Sequence, residues 1–168
     1  MKAMIFAFIA ALACSPLAFS AQGCPEGTQI GRMAVILPSS KTPIVTTKLF
    51  QGTGASQLKQ GLGHWSETAL PGQGDTIVFS GHRTTRGSAW LHDLDLWPKG
   101  TIIRMHMTYP KRKSFCYKLS GTRIVSASGK RWKYEARSRG YEVLTTWACH
   151  PKGSVSHRII GFWWPTKC

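Results

Sequence analysis

At 168 residues with 42% apolar content and seven tryptophans, the chain is long enough for one packed domain and too apolar for a disordered tail. Lys and Arg number 22 against 7 Asp and Glu, a formal net charge of +15, and such an excess attracts polyanions without specifying one. The basic residues are scattered and form no nucleic-acid-binding motif, so no specific nucleic acid is expected as a partner.

Residues 1–20 are expected to be a signal peptide. Lys2 supplies a positive start, Ile5 to Ala13 an apolar stretch, and Ala18-Phe19-Ser20 a small-x-small cleavage site before Ala21. The apolar run, roughly 16 residues with Pro16 in it, is shorter than the ~20 a helical span needs, which favours cleavage over a retained anchor. Ala11 stands where a lipoprotein signal ending on Cys14 would want a branched apolar residue. The mature part, 21–168, is expected to be a single exported domain working outside the cytoplasm: secreted, periplasmic or at the cell surface. Without Lys2 its formal charge is about +14, so an anionic envelope surface is an expected non-specific partner.

The rest of the chain shows short strand-like runs separated by turn residues every ten positions or so. Met33–Leu37 and Ile44–Thr47 are expected as strands around Pro38-Ser39-Ser40, and Ser56–Gly61 as a helical turn. Gly and Pro in 61–75 argue against regular structure there. Thr76–Ser80 is a continuous β-prone run ending at Gly81-His82. In Ala89–Trp97 the spacing of Trp90, Leu91, Leu94 and Trp97 predicts a short helix. Thr101–Thr108 is a strand with Ile103, Met105 and Met107 on one face, and Phe115–Leu119 with Thr122–Ser126 reads as a hairpin pair. Glu142–Cys149 and His157–Trp164 complete the set. The fold class is therefore mainly β, a closed antiparallel or mixed barrel of about eight strands with one or two short helices. A barrel of that size is filled by side chains, which leaves chemistry to its wall or rim.

Cys24, Cys116, Cys149 and Cys168 follow the signal. Because domain termini often lie close together, Cys24 with Cys168 is the expected disulfide, leaving Cys116 and Cys149 to be explained. Three residues stand at strand ends: His82, Cys149 and Arg158. A cysteine attacks as thiolate, and an ordinary thiol with a pKa of ~8.5 is only a few per cent ionised at neutral pH, so a neighbouring imidazole or guanidinium matters chemically. An acyl enzyme on Cys149 would need a proton donor for the departing amine, a task for His82, and charge stabilisation or substrate alignment, a task for the Arg158 fork. Taken singly, each has a plainer reading: half of a disulfide, a loop histidine and a solvated edge charge. The remaining histidines lack the spacing of a zinc site, Asp93 and Asp95 read as the polar face of a helix, and Ser80-Gly81-His82 is no serine-hydrolase elbow.

The stretch "LKQGLGHWSETALPGQGDTIVFSGHRTTRGSAWLHDLDLWPKGTII" (58–103) and the stretch "ACHPKGSVSHR" (148–158) carry, in order, motifs of a known family. The chain resembles a sortase, a cysteine transpeptidase that attaches proteins to bacterial surfaces, and is most similar to class E: the similarity lies in Leu58 to His64, Thr68 to Gln73, Gly81 to Thr85, and Cys149-His150-Pro151 with an arginine nine residues after the cysteine. The resemblance implies an eight-stranded sortase-type barrel, with Cys149 as nucleophile, His82 as general acid and base, and Arg158 as substrate orienter and oxyanion helper. It further implies substrate contacts at His64, Trp65, Thr84, Trp147 and His150, and neither cofactor nor metal. The implied reaction cuts a Leu-Pro-x-Thr-Gly or Leu-Ala-x-Thr-Gly sorting signal between Thr and Gly, then transfers the acyl group to an amine acceptor such as a peptidoglycan precursor, or to water. Four residues depart from the family pattern: Trp147 and Ala148 before the cysteine, where Ala148 replaces a threonine; Leu62, which replaces a proline; and Arg86, which replaces an aromatic residue. A second reading, a non-catalytic basic binding module with Cys149 consumed in a disulfide to Cys116, follows from the charge and these changes.

Overall fold

The computed structural model describes residues 23–129 and 131–168, so the signal-peptide reading of 1–20 lies outside the described residues. Eight strands close into a barrel: β1 (Gln29–Ile36), β2 (Val45–Gln51), β3 (Gly61–His64), β4 (Thr76–Ser80), β5 (Ile102–Met107), β6 (Lys113–Ser126), β7 (Val143–His150) and β8 (His157–Thr166). Their order around the wall is β1-β2-β3-β4-β7-β8-β6-β5, and β5 returns to β1. The pairs β2–β3 and β4–β7 are parallel, the others antiparallel.

Period-two patterning fills the interior. In β5, Ile103, Met105 and Met107 are buried while Arg104 and His106 are exposed. These join Ile77 and Phe79 of β4, Leu144 and Ala148 of β7, and Ile159 and Trp163 of β8 in one cluster. Each such side chain taken out of water contributes about 1.5–3 kcal/mol. A smaller cluster of Val78, Trp147 and Ile160 lies on the opposite face of the same strands, outside the barrel, with Trp65, Val125, Ala136 and Phe162 packed against it.

Four expectations are corrected. Residues 61–64 form β3 rather than irregular chain, and its glycines are required by close approach: a Cβ at Gly61 would lie 2.2 Å from the Lys48 carbonyl oxygen and one at Gly63 2.4 Å from that of Gly52. Residues 89–97 are a run of turns, with His92 N bonded to Ala89 O, Leu94 N to Leu91 O and Leu96 N to Asp93 O. Spacing by three satisfies such turns as well as a helix, and Leu91, Leu94 and Trp97 are still buried. The α-helix of the described residues is α1, Ala55–Gln60, where the helical turn was expected. Residues 113–126 are one strand, not a hairpin, since both halves pair with β8 and the register shifts between Leu119 and Gly121 as at a bulge. Finally, Cys168 bonds Cys116 and not Cys24, because β8 runs on until Thr166 stands opposite Cys116. Cys24 is held in a different disulfide. With Cys116 occupied, the binding-module reading loses its Cys116–Cys149 bridge, and Cys149 is a free thiol.

Candidate active site

β7 and β8 bring the cysteine and the arginine together by register alone. Cys149 lies directly opposite Arg158, so the two side chains share one face, with Cβ atoms typically ~4.5–5.5 Å apart in such a pair. Because Leu144 and Ala148 point inward, the alternating Trp147 and Cys149 point outward, and Cys149 sits partly exposed on the barrel wall. The Arg158 guanidinium is steadied by the turn before it: Nη1 donates to the carbonyl oxygens of Val155 at 2.9 Å and His157 at 3.0 Å.

His82 arrives from the neighbouring strand. Ser80 of β4 pairs with Trp147 of β7, and Gly81 N donates to Trp147 O at 2.9 Å, which carries the parallel ladder one residue further and delivers His82 beside the end of β7. A Cβ at 81 would come within 2.3 Å of Leu62 Cδ2, so any larger residue there would have to displace that buried side chain. His82 and Cys149 are both half-buried, and the β4–β7 pairing puts an imidazole and a thiol at the same end of the wall.

A buried arginine ties these pieces together. Arg83 is 1% exposed and uses its whole fork: Nη2 reaches Asp95 Oδ1 at 2.5 Å, Nε and Nη2 donate to His92 O at 3.2 and 2.9 Å, and Nη1 donates to His150 Nδ1 at 2.9 Å. An arginine only donates, so His150 Nδ1 is the acceptor and the neutral ring carries its proton on Nε2. His92 Nδ1 lies 2.6 Å from Arg83 O, its proton donated to that carbonyl, and Leu91 N bonds His82 O at 3.2 Å. Burial pushes the Asp95 carboxyl up, but the Arg83 hydrogen bond and charge outweigh it and hold the group below its ordinary range. No spacing rule points to Arg83; in the sequence it falls within the Gly81 to Thr85 motif with no role attached.

The expected substrate contacts divide. His150 adjoins Cys149, and Thr84 is exposed two residues beyond His82. Trp65 is half-buried, donates from Nε1 to Ser80 Oγ at 2.7 Å and packs at a tilt against Trp147, ring centres 5.1 Å apart. Trp147 itself is 2% exposed, with Nε1 bonded to Thr145 Oγ1, so it forms the floor beneath Trp65 instead of an open contact. His64 is fully buried, its ring nitrogens 3.0 Å from Gln51 Oε1 and 2.9 Å from Ala69 O. It is a structural histidine, out of a substrate's reach.

Burial pushes the pKa of His64 down from 6.5 to about 4, with the Ala69 carbonyl opposing only in part. Between those values the unfolded chain takes up a proton that the folded protein does not, so stability is lost as pH falls through the window, by about 3 kcal/mol in total. Urea denaturation at pH 7 and pH 4 of the wild type and of His64→Gln checks this. The wild type should lose about 3 kcal/mol more than the variant, and equal losses would refute the assignment.

Three comparisons bear on this arrangement. A family model describing a sortase domain matches residues 36–162. Sortase D of Bacillus subtilis (strain 168) is 29% identical over 136 residues, covering 79% of this chain, which thus spans 61% of that protein's length. Among solved structures, a lid mutant of sortase A from Corynebacterium diphtheriae superposes with a TM-score of 0.68 at 19% identity, covering 88% of this chain and 74% of that one. Sortase C1 from Streptococcus agalactiae superposes with a TM-score of 0.68 at 24% identity, covering 83% and 68%. At these identities the structures show a shared fold.

Proposed function

The chain belongs to the sortase family of cysteine transpeptidases, and from that premise we propose that it is an exported transpeptidase whose 21–168 domain cuts a Leu-Ala-x-Thr-Gly or Leu-Pro-x-Thr-Gly sorting signal between Thr and Gly and transfers the acyl part to an amine, or to water. The observation that carries this reading is a free Cys149 paired across the sheet with Arg158, with His82 at the end of the adjoining parallel strand. Its motifs point to class E.

In the proposed reaction Cys149 passes its proton to His82 and attacks the threonine carbonyl carbon as thiolate. The Arg158 fork stabilises the charge that develops on the carbonyl oxygen. When the carbon–nitrogen bond breaks, His82 returns the proton to the departing glycine amine, leaving a thioacyl enzyme. The acceptor amine then attacks the thioacyl carbon, loses a proton to His82, and the Cys149 sulfur leaves and is reprotonated.

Mass spectrometry tests the reading at its first step. Incubation with either signal peptide, without an amine, should yield protein heavier by the acyl fragment alone, and digestion should place that mass on the segment containing Cys149. Cleavage with the adduct on another residue would defeat the assignment.

A further inference from the structure

A wide concavity lies beside the candidate active site. It is a cleft of about 960 Å³ between the outer face of β6 and β8 and the segment that leads from the short 3-10 helix Arg131–Ala136 into β7. Phe162 and Trp164 of β8 form its floor, and Arg123, Arg137 and Arg139 line it with a single carboxylate, Glu135. Glu135 is spent on two of the three arginines: Oε1 lies 2.7 Å from Arg123 Nη1 and Oε2 3.0 Å from Arg139 Nη2. Arg137 stacks 4.0 Å over the Tyr134 ring and donates to Tyr134 O, with no ion pair to a carboxylate among the described residues. Arg139 Nε is buried and has no hydrogen-bond acceptor. A buried guanidinium donor without an acceptor, in a cleft with more guanidinium than carboxylate, is a place for an anion.

The cleft is aimed at the reaction. Val125 and Ser126 line one end of it, and Val125 pairs with Arg158, which pairs with Cys149. Cys149, Arg158 and Val125 thus form one row across three strands, about 10 Å from first to last at ~4.8 Å per strand. A ligand that extends to the Val125 end of the cleft is therefore about 10 Å from Cys149.

We infer that this cleft binds the amine acceptor, and that the acceptor is a carboxylate-bearing peptide amine whose acidic groups lie against Arg137 and Arg139 while its amine points past Val125 toward Cys149. The inference rests on the transpeptidase reading above and deepens it. Charge decides between the two substrates: the proposed signal is uncharged at its recognised positions and gains nothing from guanidinium groups, whereas an acidic acceptor does.

Two measurements test it. Calorimetry on the wild-type protein should show the tripeptide Gly-Gly-Asp, with both carboxylates free, binding at least tenfold more tightly than Gly-Gly-Asn amide. Arg137→Gln or Arg139→Gln should erase most of that preference; the exposed Arg137 makes no ion pair among the described residues and touches only Tyr134 by its guanidinium, so its loss should leave the protein folded. Equal affinity for the two peptides, or preference retained in both variants, would overturn the site. In the signal-peptide assay the half-saturating concentration of Gly-Gly-Asp should rise about tenfold in either variant, while hydrolysis without acceptor stays at the wild-type rate. A fall in that hydrolysis rate instead would assign the cleft to the signal and overturn the inference. If the wild type cleaves no signal peptide, the transpeptidase reading fails, and the calorimetry still decides whether the cleft takes an acidic peptide.

Discussion

Cys149→Ala is expected to reduce signal-peptide cleavage and amine transfer together, by on the order of 10⁴-fold or more, because removing a nucleophile removes the covalent route and not one contribution to it. Only a few groups then remain to act on the peptide, and none can form an acyl enzyme. The fold should be unaffected: Cys149 is a free, half-exposed side chain outside the interior cluster, and a change of that kind shifts stability by about 0.5 kcal/mol or less. Thermal unfolding alongside the peptide assay separates the two effects. Undiminished turnover by a folded Cys149→Ala protein would remove Cys149 from the chemistry.

Legibility in the sequence followed the range of the interaction. β4 and β5 could be read because a buried strand and a half-buried one carry their own patterns in Thr76–Ser80 and Ile102–Met107. The nearness of Cys149 to Arg158 was legible only through the family resemblance, because the register that sets them face to face belongs to the antiparallel pairing of β7 with β8 and not to the pattern of either strand. β3 was not, because Gly61 and Gly63 look like breakers until the Lys48 and Gly52 carbonyls that exclude a Cβ are in place. The disulfide of Cys168 depends on how far β8 runs along β6, which the ends of the chain do not reveal. Arg83 was the least legible, because its partners stand 12 residues away at Asp95 and 67 away at His150 and meet only in the closed barrel.

Arg83→Met is expected to cost about 3 kcal/mol of stability, since removing one partner of a buried ion pair leaves the other uncompensated. That is the low end for such pairs, because Asp95 is 33% exposed and water can solvate it in part. The His92 carbonyl loses two donors, and His150 loses the bond that fixes its ring beside Cys149. Activity should therefore fall even where the variant remains folded: well below its unfolding temperature, kcat is expected to drop about tenfold with KM little changed, as for a displaced reacting group. Arg83→Lys keeps the charge but has one ammonium in place of a planar fork, so it can hold Asp95 or His150 but not both together with the His92 carbonyl. It should recover part of the stability and little of kcat. Pairing Arg83→Met with Asp95→Asn in a double-mutant cycle isolates the ion pair, and an interaction energy near zero would mean that Arg83 acts through packing alone. A buried fork that ties Asp95 and the His92 carbonyl to His150 fixes the residue after His82 to the residue after Cys149 through the barrel's interior, so the wall around Cys149 can vary, as at Trp147 and Ala148, without disturbing that link.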